Sequence, residues 1–348
     1  MLAHDHEFVI GVDTHRDQHA LALLETRSGS LLLEAELAAR ADGYRQALAL
    51  IERTAAGRRA WVVEGSGAYG KGLARFLQRA GETVFELERP RRRGAGGRLK
   101  SDPLDALRAA RALLAGEQLA RPRAGGEREA LRCLLRSRES AVEARRRALN
   151  QLRALIVVCP EPLRGELRQL SRARLLARCR AFRSLSGQDV ELAGTRLAMR
   201  LLARRVALLA EEERALRREI DLLVERVAPG LIAQPGVGPI SAAEILVCWS
   251  HAGRLRSEAA FARLAGAAPI PASSGQVVRQ RLDRGGDRRL NRALHQIVVC
   301  RRRHHRQTIA YVERRLAEGK SSREATRCLK RYVARSLFRL LEAMPAPA

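Results

Sequence analysis

Apolar positions in the first ninety residues fall into short β-rich runs separated by Gly and polar breakers: EFVIGVD at 7–13, HALALLE at 19–25 and SLLLEAEL at 30–37. Such runs with turn residues between them predict a three-stranded meander. A helix is expected from Asp42 to about Ala55, a fourth strand in AWVVE at 60–64, a helix from Tyr69 to Ala80, and a fifth strand in TVFELE at 83–88. The order β-β-β-α-β-α-β predicts a mixed sheet. A basic, Gly-rich loop follows and opens into a helix at about Ser101, with Pro103 in its first turn, where helix starts favour proline.

From there the spacing changes to seven. Leu135, Val142, Leu149 and Ile156 repeat at one heptad position, but the companion positions Leu131, Arg138, Arg145 and Leu152 include two Arg. A second run is cleaner: Leu202, Leu209, Leu216 and Leu223 with Met199, Val206, Ile220 and Val227, only Glu213 breaking the pattern. This predicts a coiled-coil region, either a seam between subunits or an intrachain hairpin. After Pro229 and Gly230 come short helices and loops, then Arg-rich helical segments. The chain therefore reads as three parts: 1–119 α/β, 120–228 helical coiled coil, and 229–348 mainly α.

Composition sharpens this picture. The 348 residues carry 65 Lys plus Arg against 38 acids, a formal charge of +27. Residues 1–89 hold 11 basic and 13 acidic side chains, so the surplus belongs wholly to the remainder and points to a polyanionic partner there. Hydrophobics at 46% can fill real cores. No long uncharged apolar stretch and no signal-like amino terminus is present, which places the chain in the cytoplasm. The six cysteines form no CxxC, so neither a zinc ribbon nor a redox pair is signalled.

Four carboxylates stand where a two-metal phosphoryl-transfer site needs them: Asp13 and Glu64 at strand ends, Asp102 and Asp105 three apart at a helix start. Residues three apart share a helix face, and strand-end carboxylates project to one sheet edge, so all four can converge on hard cations such as magnesium. The plainer alternative is that Asp102 and Asp105 only favour the helix dipole and Glu64 is a turn residue. A rival overlaps Glu64: Gly65, Gly67 and Gly70 form GxGxxG between a strand and a helix, with Glu86 and Glu88 ending the next strand, a dinucleotide-binding fingerprint. Against it, this is not the opening βαβ unit, and it leaves Asp13 and KSDPLDA idle. The glycines otherwise serve only to release the chain sharply after Glu64.

PGVGPISA at 235–242 has the Gly-apolar-Gly turn of a helix-hairpin-helix, in which Gly236 and Gly238 let backbone N–H groups approach a phosphate. Further on, Ser273 and Ser274 precede Gly275, and Arg279, Arg281, Arg284, Arg288, Arg289 and Arg292 follow as candidate phosphate contacts.

With Asp13 in GVDTH, Glu64 in VVEGSGAYG, KSDPLDA at 100–106, PGVGPISA, and PASSG through RGGDRRLNRALH at 271–295, the chain resembles the transposases of the insertion-sequence 110 family. The likeness spans nearly the whole sequence. It implies an RNase H-like, RuvC-type amino-terminal domain, a coiled coil, and a carboxy-terminal transposase domain. The family's Asp-Glu-Asp-Asp set falls on Asp13, Glu64, Asp102 and Asp105, with Mg2+ as the cofactor. Its nucleophilic serine falls on Ser274, or on Ser273 since the doublet admits two alignments. The resemblance further implies DNA strand cleavage and rejoining through a phosphoserine link, a structured bridge RNA that pairs with target and donor DNA, and a homo-oligomer. The alternative function is a metal-dependent RuvC-like junction or strand nuclease that activates water.

Overall fold

The computed structural model describes residues 5–87, 102–116, 119–183, 189–272, 280–281 and 283–344. The chain divides into two compact units, residues 1–125 with 253–256, and residues 126–252 with 257–348.

In the first unit β1 (Phe8–Thr14), β2 (Gln18–Glu25) and β3 (Leu31–Ala38) form an antiparallel meander. The chain then crosses through α1 (Ala41–Thr54) to β4 (Arg59–Glu64), and through α2 (Lys71–Arg79) to β5 (Thr83–Leu87). Both returning strands run parallel to β1, giving the order β3-β2-β1-β4-β5. The mixed sheet matches the order of strands and helices in the sequence and is consistent with an RNase H-like domain. Central β1 is buried on both faces, which is why it reads as an unbroken apolar run. Side chains alternate between faces. Ile10, Val12, Trp61 and Val63 pack under Tyr44, Ile51, Leu73 and Leu77 of α1 and α2. On the opposite face Val9, Ala60 and Val62 pack against Ala109, Ala110 and Leu113 of α3 (Asp102–Leu114).

The second unit is built on two long helices, α4 (Gly126–Val158) and α7 (Val190–Val227), bridged by α5 (Leu163–Arg168) and α6 (Arg172–Arg180). Glu127 pairs with Arg226 at one end, and Leu152 shares a core with Met199 and Ala203 at the other, so the two helices run antiparallel as an intrachain hairpin. The residues that interrupt each heptad answer one another. Glu213 lies 2.8 Å from Arg138 and 2.7 Å from Arg145, an ion triad on the seam.

After α8 (Pro229–Ile232) and α9 (Pro239–Trp249) come α10 (Glu258–Leu264), a short hairpin of β6 (Ile270–Pro271) with β7 (Gln280–Arg281), α11 (Arg288–His304), α12 (Arg306–Ala317) and α13 (Ser322–Glu342). Asp287 caps α11 by accepting from the backbone N–H of Arg289 and Leu290, and Ser321 with Glu324 forms a capping box on α13. None of the described helices is long and apolar enough to cross a membrane, and the six cysteines are free thiols.

Candidate active site and nucleic-acid interface

Gly11 determines how closely α3 approaches the sheet. A Cβ built on it would sit 2.0 Å from the carbonyl oxygen of Ala106 and 2.5 Å from the amide nitrogen of Ala110, so only glycine allows this packing. Asp13 lies two residues further along β1 and therefore on the same, α3-covered face. Glu64 occupies the next position in the parallel register with β1, on that face also. Both carboxylates are buried, at 3% and 5% exposure. Asp13 accepts from the backbone N–H of Thr14 at 2.9 Å and shares a hydrogen bond of 3.1 Å with Nε2 of His15. The Thr14 hydroxyl donates to the carbonyl of Glu64 at 2.8 Å, tying the two strand ends together.

Helix α3 brings the third acid. The guanidinium of Arg108 lies 3.1 Å from Glu64 and 3.2 Å from Asp105, so one cation bridges a strand-end carboxylate and a helix-start carboxylate. Asp102 opens α3, and its side chain lies outside the described residues. Among the described residues no three His, Cys, Asp or Glu side chains converge closely enough to hold a metal ion. The donors present are all hard oxygens, and a fixed positive charge already sits between two of them. That chemistry fits a hard divalent cation. Arg108 escaped the sequence reading, although its place three residues after Asp105 was a usable signal.

The glycines after Glu64 have separate structural reasons. Gly65 has φ +71°, and a Cβ on Gly70 would meet Val63 and Thr14 at 2.8 and 2.9 Å, whereas Gly67 faces open space. The βαβ unit that carries them lies at the sheet edge beside an antiparallel half, unlike the opening unit of a doubly wound sheet.

In the second unit the two glycines of the PGVG turn also differ. Gly236 has φ +74° and packs on α11, where its Cβ would meet the carbonyl of Ile297 at 3.0 Å, and Arg301 donates to the Pro235 carbonyl at 2.6 Å. Gly238 precedes α9 and a Cβ built on it would meet nothing within 4 Å. Arg284, Arg288 and Arg292 line a cavity of about 540 Å³ with Asn291 and His295, while Arg281 lines a different one. Arg289 and Arg292 are held by Glu139 of α4, at 3.0 and 3.1 Å. Glu244, buried in α9, is pushed up in pKa by burial, against the opposing pull of Arg136 at 2.8 Å and Arg292. Ser273, Ser274 and Arg279 lie outside the described residues, and the paired ends Pro271 and Gln280 bracket them.

Much of RGGDRRLN proves architectural. A Cβ on Gly286 would fall 2.2 Å from the Gly266 nitrogen, so two backbones meet there. Asn291 donates to the Ala265 carbonyl at 2.6 Å and accepts from Lys330 at 2.5 Å. The sequence carries no local sign of that pairing with Lys330.

Residues 10–159 match the family model of DEDD transposases of the IS110 type, and residues 230–313 match the model described as transposase IS116/IS110/IS902 family. The chain belongs to the IS110 family of transposases. Over 166 residues, 46% of this chain, it is 31% identical to the uncharacterized 43.6 kDa protein of insertion element IS110 from Streptomyces coelicolor, covering 41% of that protein. Over 153 residues, 43% of the chain, it is 32% identical to the y4qE protein of Sinorhizobium fredii, covering 39% of it. The chain thus matches about two-fifths of the length of these relatives. The first matched span of this IS110-family chain holds Asp13, Glu64 and Asp105, and the second holds the PGVG turn and RGGDRRLN. A DEDD-type domain implies dependence on a divalent metal.

Proposed function

We propose that this chain is the DNA transposase of a bacterial insertion sequence, cutting and rejoining strands through a phosphoserine intermediate. The observation that carries this reading is the pair of buried carboxylates, Asp13 and Glu64, side by side under the helix that supplies Asp105, in a member of a transposase family. Asp13, Glu64, Asp102 and Asp105 would hold divalent cation, Mg2+, which when bound neutralises charge on the phosphodiester oxygens. The Ser274 hydroxyl, or that of Ser273, attacks phosphorus. The Ser Oγ–P bond forms, the P–O bond to deoxyribose breaks, and the serine proton passes to the leaving oxygen, so one hydroxyl is consumed and one released. A deoxyribose hydroxyl of another strand then attacks the phosphoserine and frees the serine.

In this reading residues 1–119 hold the RNase H-like site, 120–228 the coiled coil, and 229–348 the transposase domain with its helix-hairpin-helix at Gly236 and Gly238. Arg279, Arg281, Arg284 and Arg288 contact phosphate, with Arg289 and Arg292 joining them where Glu139 leaves donors free. A structured bridge RNA from the element selects the DNA. A homo-oligomer is supported by the exposed apolar stripe of α7, where Leu201, Leu208 and Leu222 share heptad spacing.

The test is recovery of stalled complexes with flanking element DNA, followed by denaturing gel and mass spectrometry. A covalent adduct on Ser274 that disappears with Ser274→Ala and with Asp13→Ala is the expected result. Divalent-dependent cuts with free ends, unchanged in Ser274→Ala and Ser273→Ala, would instead establish the water-activating nuclease.

A further inference from the structure

Six cationic side chains, Arg281, Arg315, Lys320, Arg327, Lys330 and Arg331, line one cavity of about 310 Å³ in the second unit, closed on one side by the turn at 266–269. Helix α13 and Lys320 lie beyond residue 313, outside both family-model matches. Arg315 is paired with Glu318 at 2.6 Å. The one carboxylate on the wall, Glu324, is committed to the α13 cap, accepting from the backbone and hydroxyl of Ser321 at 2.8 and 2.7 Å. Among the described residues the other five cations make no direct ion pair, although Glu324 attracts Lys320 and Arg327 at longer range, which leaves Lys330 and Arg331 without a carboxylate. Elsewhere in this unit Arg136, Arg138, Arg145, Arg289, Arg292 and Arg335 each meet a glutamate.

The position of Lys330 is fixed and not merely permitted. Its ammonium donates to Oδ1 of Asn291, whose amide nitrogen is in turn anchored on the Ala265 carbonyl. Burial, and secondarily Arg327, lower the Lys330 pKa, as expected of a cation held where no counter-ion reaches it. Tyr332 stands on the same wall, more than half exposed and edge-on to Tyr311. Like charges gathered in a concavity repel one another, and a bound anion relieves that repulsion. The volume is near the lower end of small-ligand sites, roughly 300–1,000 Å³, which suits one nucleotide and not a duplex.

We propose that this cavity holds one nucleotide of a single-stranded nucleic acid, its phosphate among Arg327, Lys330 and Arg331 and its base against Tyr332. The inference rests on the reading of the chain as a nucleic-acid enzyme and adds a single-strand subsite to it. Aromatic stacking of this kind is tolerant of sequence, so the site grips a displaced or unpaired strand without selecting it.

The experiment uses full-length protein with short single-stranded DNA and RNA probes, each carrying one iodouracil, and the corresponding DNA duplex. Photocrosslinks are expected at Tyr332. Tyr332→Ala should weaken single-strand binding about tenfold, and Arg327→Gln with Arg331→Gln should flatten the log affinity against log salt slope by about 0.7, the share of the one phosphate no longer neutralised. Duplex affinity should not respond to Tyr332→Ala. Whichever of the DNA and RNA probes shows the Tyr332 dependence identifies the strand. Single-strand binding unaltered in these exposed-residue variants, or a duplex equally sensitive to Tyr332→Ala, overturns the subsite while leaving adduct formation on Ser274 intact. Wild-type protein that binds no nucleic acid overturns the subsite and the transposase reading together.

Discussion

Gly11→Ala separates the architecture of the carboxylate site from its chemistry, because it alters no charged group. The added methyl would lie 2.0 Å from the Ala106 oxygen and 2.5 Å from the Ala110 nitrogen, both backbone atoms that cannot rotate aside. Helix α3 must therefore move outward, on the order of 1 Å, with an overpacking cost of about 1–3 kcal/mol. Against this, replacing glycine lowers the entropy of the unfolded chain by about 0.4–1 kcal/mol, so the net loss is about 0–2.6 kcal/mol, roughly 1.3 at mid-range, and the protein stays folded. Asp105 and Arg108 ride on α3 while Asp13 and Glu64 stay on the sheet, so the shift opens the gap that Arg108 now spans. A misplacement of about 1 Å at a reacting centre costs roughly a hundredfold in rate. The assay is divalent-dependent cleavage of element-end DNA, read beside thermal melting and DNA affinity. Gly67→Ala is the control, since its Cβ meets nothing within 4 Å, and it should leave all three unchanged. Cleavage by Gly11→Ala within about threefold of wild type, with an unshifted melt, would show that α3 does not set the carboxylate geometry.

Removing the bridging guanidinium with Arg108→Gln leaves Glu64 and Asp105 without that counter-charge, so Mg2+ should raise the melting temperature more in the variant than in wild type. Equal shifts would mean that Arg108 does not compete for the site. At the helical hairpin, Glu213→Gln strands Arg138 and Arg145 on the seam. Their side chains are 22% and 27% exposed and that of Glu213 is 15%, so the loss should fall between surface and fully buried pairs, about 2 kcal/mol in urea unfolding followed by helical circular dichroism. Leucine at all three positions should recover that loss, and failure to do so would mean the seam depends on the ions themselves. His19 is buried, stacked on Tyr44, and burial lowers its pKa. The unfolded chain then binds the proton first, so this contribution is full above pH 6.5 and fades as pH falls below it, by at most about 1.4 kcal/mol per pH unit. His19→Phe keeps the stack and should flatten the melting profile below pH 6.5, and an unchanged slope would assign that dependence to other groups.

What could be read from sequence followed the range of the interaction. Strands β1 and β4 were visible because both faces are buried, and Asp13 and Glu64 stood out because a carboxylate directly after such a run has nowhere apolar to go. The antiparallel pairing of α4 with α7 was not decidable. Arg138, Arg145 and Glu213 each look like a flaw in a separate heptad, and only a contact across 75 residues of chain turns the flaws into a match. Gly236 and Gly238 are alike in a motif and unlike in the fold, one packed on α11 and the other facing open space. Nothing local encodes that difference, which depends on a helix some sixty residues later.

The same limit applies to charge. A surplus of +27 points to a polyanion but not to the side chains that meet it, because many arginines are already neutralised within the fold. Arg289 and Arg292, prominent in the sequence as phosphate contacts, share Glu139, while Arg136 is drawn to Glu244 and Arg335 to Glu258. An arginine bound to a glutamate must exchange one anion for another, which cancels most of the gain. A cation without a partner, fixed at the wall of a cavity, has no such exchange to make. By that criterion Lys330, Arg327 and Arg331, like Arg284 and Arg288 on the wall of their own cavity, are better placed to hold a phosphate than Arg289 and Arg292.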